Sequence, residues 1–108
     1  MPAFHWIYTT WPDQASAMEA ARILVHEQLC ACANIQPGIM SVYAWKGDVQ
    51  KDEEAVMVLK TSGERIEALR ERFLALHPYE TPCFAVLNIA ADRSHQPYLD
   101  WLGASTRH

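Results

Sequence analysis

Ala55-Val56-Met57-Val58-Leu59-Lys60-Thr61-Ser62-Gly63-Glu64 holds the transition on which the fold turns. Its first half is an unbroken apolar run rich in β-branched residues, which reads as a strand running from about Val49 to Lys60. Its second half has capping-box spacing, with Thr61 as N-cap and Glu64 at N3, so a helix is predicted to follow at once. Ile66, Leu69, Phe73 and Leu76 then recur on one face, while Glu64, Glu67, Arg70 and Glu71 face water. That helix is predicted to stop at His77, because the residue before Pro78 is disfavoured in the α region.

Working outward, Lys46-Gly47-Asp48 reads as a hairpin turn that joins this strand to an extended segment, Cys32 to Trp45. Pro37-Gly38 interrupts the segment and predicts a bulge or bend there, since proline cannot donate to the ladder. A helix capped by Asp13 is predicted to run to about Leu29. Glu19, Arg22 and His26 form its polar stripe; Ala17, Ala21, Leu24 and Gln28 lie elsewhere, so the buried face is expected to be mostly small. Phe4 to Thr9 reads as the first strand, broken by Pro12-Asp13. After the second helix, Pro82 opens a strand to about Ala90. Ser94 then caps a last helix, with Pro97 in its first turn and Gly103 at its end. The order β-α-β-β-α-β-α predicts an α+β, ferredoxin-like antiparallel sandwich with an extra C-terminal helix. A single domain over residues 1–108 is expected.

Composition narrows the function classes. Half of the 108 residues are apolar and the net charge is −4. The nine lysines and arginines form no basic stripe, which argues against nucleic acid as a partner. The apolar runs are too short for a membrane span. The first residues show no positively charged, apolar leader, so the cytosol is the expected compartment. Three cysteines, Cys30, Cys32 and Cys83, are expected to be free thiols there. Four scattered glycines make no phosphate-binding loop.

The strand pattern predicts an oligomer. A sheet with one wet face should alternate apolar and polar residues. Ala55 to Leu59, Cys83-Phe84-Ala85-Val86-Leu87 and Trp6-Ile7-Tyr8 do not. The two main helices cover one face, so a second copy of the chain is expected to cover the other. The hairpin strands also exceed the usual five or six residues. Their free ends, around Tyr43 to Val49, are placed to pair with a neighbour's sheet edge.

Several segments, in order, resemble the CutA family of divalent-cation tolerance proteins. They are Thr10-Trp11-Pro12-Asp13, Leu29-Cys30-Ala31-Cys32-Ala33-Asn34-Ile35, Pro37-Gly38, Tyr43-Ala44-Trp45-Lys46-Gly47 and Leu59-Lys60-Thr61. His77-Pro78-Tyr79-Glu80-Thr81-Pro82 is the most specific, and Tyr98-Leu99-Asp100-Trp101-Leu102 closes the series. The resemblance implies a PII-like homotrimer with exchanged hairpins and inter-subunit clefts. It also implies a non-enzymatic cytoplasmic role in tolerance of divalent metals, copper especially, with no cofactor required.

The resemblance carries metal ligation over to Cys32, His77 and Glu80, where other members also have Gln. Copper or another divalent cation is the expected ligand, and the three residues span soft, borderline and hard donors. It suggests Trp45, Glu54, Lys60 and Tyr79 as further cleft residues, brought together only across a subunit boundary. Spacing by itself offers no C-x-x-C, no H-x-x-x-H and no carboxylate cluster. Cys30-Ala31-Cys32 reads as a pair of buried structural cysteines or a thiolate pair, and Cys83 as core. His5 and His26 read as surface or strand-edge residues, His95 and His108 as solvated. His77 has a structural reading beside the functional one, as a residue suited to a helix C-terminus. Yet His, Tyr, Glu and Thr within one short loop also suit a binding site. A His77–Glu80 acid–base pair or a Cys32–His77 nucleophile pair lacks any local signature. Trp6, Trp11, Trp45 and Trp101 read as core or interface anchors. Two other functions stay open. One is a PII-like trimer binding a small anionic molecule, with Lys60 for charge and Tyr79 as apolar wall. The other is a trimeric scaffold that anchors partner proteins.

Overall fold

The structure is a computed structural model, and it describes residues 3–107. His108, expected to be solvated, lies outside the described residues. The central strand β1 (Phe4–Trp11) pairs antiparallel on both sides, with β3 (Asp48–Ser62) and β4 (Phe84–Asn88). β2 (Cys32–Trp45) pairs with β3, giving the order β2-β3-β1-β4. The helices are α1 (Gln14–His26), α2 (Ile66–Leu76) and α3 (Gln96–Ser105). This is the expected α+β ferredoxin-like sandwich with its added helix.

The helix-facing side of the sheet holds Ile7, Thr9, Trp11, Met57 and Leu59, all fully buried. They pack on Ala17, Ala20, Ala21 and Leu24 of α1 and on Leu69 and Phe73 of α2. Small residues on α1 let that helix lie close to the strands. The opposite side carries Phe4, Trp6 and Tyr8 with their cross-strand neighbours, because directly paired residues share a face. Helix α3 covers only one end of that side, where Leu99 and Leu102 bury Phe4. Further along it, Trp6 stays 44 % and Leu87 51 % exposed.

The hairpin follows its sequence signals. The register shifts between Gln36 and Ile39, at Pro37-Gly38. The turn has two residues, Lys46 and Gly47, with φ of 50° and 85°, and Trp45 pairs with Asp48. Positive φ at both positions is the mark of a type I′ turn, whose twist matches the flanking strands.

Five local expectations are corrected. The first helix ends at His26, not Leu29. Its end closes with Leu29 N–H on the Leu24 carbonyl and Gln28 N–H on that of Val25, both at 3.0 Å, and with Gln28 left-handed at φ 59°. That is a Schellman closure with glutamine where glycine is usual. The capping box does not form either. Thr61 stays in the β1–β3 ladder opposite His5 and is fully buried; its Oγ1 donates to the Leu29 carbonyl at 2.7 Å. A 3-10 turn, Gly63–Arg65, then leads into α2. Ser94 spends its hydroxyl on the Ala90 carbonyl, 2.7 Å away, and His95 takes the N-cap position of α3. Gly103 lies inside α3, where a Cβ would meet the Phe4 ring at 3.5 Å. The last strand is also shorter than expected, beginning only at Phe84.

Candidate functional site

The register of the long hairpin decides which side chains meet at its root. With Trp45 paired to Asp48 and Tyr43 to Gln50, alternate residues place Tyr43, Trp45, Asp52 and Glu54 on one face. The loop after α2 returns beneath them, stopped by His77 and stiffened by Pro78. Between the two lies a cleft of about 580 Å³, lined by Tyr43, Trp45, Asp52, Glu54, Tyr79 and Glu80, with Cys83 behind. Trp45, Glu54, Tyr79 and Glu80 are therefore brought together within one chain.

The cleft is acidic. Three carboxylates line it, and no lysine, arginine or histidine does. The Tyr79 hydroxyl donates to Glu54 Oε2 at 2.7 Å, and the Tyr43 hydroxyl donates to Asp52. Glu54 is only 9 % exposed, and no cation among the described residues lies within ion-pairing distance. The tyrosine and cysteine ionisations register this environment. Burial, then the hydrogen bond to Glu54 and its charge, drives the Tyr79 phenol upward. The bond to Asp52 raises that of Tyr43. Burial, and then the charge of Glu54, raises the Cys83 thiol. Cys83, expected in the core, is half-buried at the cleft wall, with its Sγ 3.7 Å from the Tyr8 carbonyl.

His77 does not offer a free nitrogen. Its Nδ1 accepts from the Tyr79 backbone N–H at 3.1 Å, which leaves Nε2 as the protonated nitrogen, donating to the Thr10 carbonyl at 2.7 Å. The ring packs 4.1 Å from that of Trp11 and 4.7 Å from that of Tyr79. Burial pushes its pKa below the ordinary value, against the opposing pull of the Thr10 carbonyl and of Glu54. In this chain both ring nitrogens are engaged, and His77 clamps the loop to β1 and holds Tyr79.

Lys60 and Cys32, expected to meet the other cleft residues only across a subunit boundary, lie away from the cleft of their own chain. They pair with each other across β2 and β3, and Lys60 pairs on its other side with Trp6. Lys60 Nζ sits 5.1 Å over the Trp6 ring and lines no part of the cleft. Thr10, at the cleft, is four strand residues from Trp6, about 13 Å. Within one chain Cys32, His77 and Glu80 do not converge. Among the described residues, no group of three or more His, Cys, Asp or Glu is placed to hold a metal ion.

The remaining predicted residues fall as follows. Cys30 is fully buried, and desolvation, with Cys32 nearby, pushes its thiol up to about 12. All three cysteines are free. His5 lies in the central strand, not at an edge, with Nδ1 buried and unbonded among the described residues. Trp11 is the buried core anchor, whereas Trp6, Trp45 and Trp101 are exposed. Asp52 was not singled out by its sequence context. Its signal is indirect: the two-residue turn and the period of two put it beside Glu54 and near Tyr43.

Fold and cleft define the class: a ferredoxin-like α+β protein with an overlong hairpin and an acidic, aromatic cleft at its root. The particular family follows from comparison. The model of the CutA1 divalent ion tolerance protein matches residues 5–105, and the chain belongs to that family. It is 41 % identical over 100 residues to the divalent-cation tolerance protein CutA of Thermus thermophilus, covering 93 % of this chain and 95 % of that one. The PII-like protein CutA from Nostoc superposes with a TM-score of 0.89 at 35 % identity, over 95 % of this chain and 97 % of that one. A CutA from Archaeoglobus fulgidus described as periplasmic superposes with a TM-score of 0.91 at 33 % identity, over 96 % and 99 %. Among the described residues, no helix is long and apolar enough to cross a membrane.

Proposed function

We propose that this chain works as a cytoplasmic homotrimer that captures divalent cations, copper(II) foremost, in clefts completed by a neighbouring subunit. The observation that carries the reading is Glu54. A carboxylate nine-tenths buried without a cationic partner is costly. Asp52 and Glu80 beside it add to the field, and a bound cation offsets all three. One chain lacks a closed ligand set, so a second chain is needed to add donors. The uncovered apolar face and the overhanging hairpin give that second chain a reason to bind. Cys32, distant within its own chain, is the thiol a neighbour would contribute.

The test is calorimetric titration of copper(II) into the oligomer, whose mass is fixed by light scattering. Weak, stoichiometric binding is expected, falling at least about tenfold in Glu54→Gln and Glu80→Gln, since copper leads the divalent affinity order. Cys32→Ala reports whether the neighbour's thiol takes part. Copper heats that stay unchanged in both carboxylate variants overturn the site.

A further inference from the structure

We propose that the same cleft also accepts an organic ammonium cation, with Tyr43, Trp45 and Tyr79 as aromatic walls and Glu54 as the principal counter-charge. The inference rests on the reading that the cleft takes a cation, and goes beyond it in the kind of cation.

Three observations carry it. The first is size: about 580 Å³ is far more than a bare ion needs and falls in the range of small-molecule sites. The second is chemistry. A metal ion needs several converging donors, and among the described residues of one chain no group of three is placed to supply them. An alkylammonium group needs none. It needs charge compensation and ring surface, since cations are drawn to aromatic faces and quaternary ammonium groups are bound in aromatic cages. The third is preorganisation. The Tyr79 and Tyr43 hydroxyls are tied to Glu54 and Asp52, so two walls are held by the carboxylates that supply the charge. Glu54 Oε1 accepts no hydrogen bond from the described residues and, not being sealed from solvent, is open to a guest in the cleft. Trp45, the third wall, is 52 % exposed at the end of β2 and is free to close over a guest.

That no basic side chain among the described residues of one chain lines the cleft matters as much as the carboxylates. A lysine or arginine there would fill the role of the guest. The ligand class is therefore a compact monocation with an apolar surface, such as a trimethylammonium group. A phosphate or carboxylate would meet uncompensated repulsion.

The test uses the intact oligomer and two probes of equal shape, choline and its neutral carbon isostere 3,3-dimethylbutan-1-ol. The readout is the indole N–H resonance of Trp45, assigned by its loss in Trp45→Phe. Choline is expected to shift it saturably and the isostere to leave it in place. Binding of choline, followed by calorimetry, should weaken roughly 3- to 30-fold in Trp45→Ala, the range for losing one cation–π wall. It should largely recover in Trp45→Phe and fall at least about tenfold in Glu54→Gln. Trp45 is half-exposed, so these variants are expected to fold. Equal binding of the neutral isostere, or undiminished choline binding by Trp45→Ala, overturns the inference. Copper binding without choline binding also overturns it and leaves the metal reading intact, whereas loss of both sinks the cleft as a cation site.

Discussion

Replacing His77 by alanine tests whether this residue is a clamp or a ligand. The ring is 8 % exposed and closes two hydrogen bonds, to the Thr10 carbonyl and from the Tyr79 N–H. Alanine leaves both backbone groups without their partners in a half-buried setting. Each lost bond costs about 1 kcal/mol. The vacated contacts with Trp11, Phe73 and Tyr79 add about 1 kcal/mol more. The expected loss is about 3 kcal/mol, read by urea unfolding at fixed protomer concentration with an unchanged slope. A loss below about 1 kcal/mol would refute the clamp.

The pH dependence supplies a second arm with a definite sign. Burial depresses the folded-state pKa of His77 below its ordinary value of 6.5. Between the depressed value and 6.5 the unfolded chain binds more protons than the folded one, so stability rises with pH there. The contribution of neutral His77 is complete above 6.5 and is lost as pH falls through the depressed value. Wild type should therefore lose stability between pH 7 and pH 5 relative to a folded His77→Gln variant. A protonated, ion-paired histidine would show the opposite difference, and that result would refute the neutral tautomer.

Three further outcomes follow from the packing. Gln28→Gly should stabilise the protein by up to about 1 kcal/mol in the same assay, since Gln28 holds a left-handed φ of 59° that glycine adopts without strain; destabilisation would show that its side chain matters more than its backbone. Trp6→Glu with Leu87→Glu places two charges on the uncovered side of the sheet, and light scattering should then find monomer in place of the oligomer expected of wild type. Cys30 should resist a thiol reagent until the chain unfolds, because it is 1 % exposed and its thiol is pushed up to about 12; labelling at the rate of an exposed thiol would place Cys30 outside the core.

The elements that could be read from sequence were those whose cause is local. Lys46-Gly47 sets a two-residue turn, Pro37-Gly38 a bulge, Asp13 a cap on Ser16 and Pro78 a helix end; each acts through its own backbone limits. The elements misread were those where a distant partner outbid a local one. Thr61 has the spacing of a cap, but pairing with β1 and a bond to Leu29 keep it in the strand. Gln28 ends α1 without the glycine that would have announced it. The place of α3 on the open side depends on Phe4, nearly a hundred residues before its last contact, and no local pattern encodes that.

The candidate site divides along the same line. Trp45 and Glu54 share a face because two short-range rules act in series, the turn setting the register and the period of two choosing the face, while Tyr79 and Glu80 reach them on the loop that His77 ties to Thr10. Those rules also place Asp52 and Tyr43, which family likeness alone did not mark. Lys60 obeys the same period and shares a face with Glu54, yet two same-face positions separate them, Val56 and Val58, paired with Thr10 and Tyr8. Sharing a face is thus necessary for a site and not sufficient; distance along the strand keeps Lys60 out of its own chain's cleft. His77 shows the converse. Its neighbours in sequence suggest a ligand, but Thr10, brought alongside by β1, takes the nitrogen a metal would need. What the chain leaves free at the cleft is carboxylate and aromatic surface, the groups on which the proposed cation capture rests.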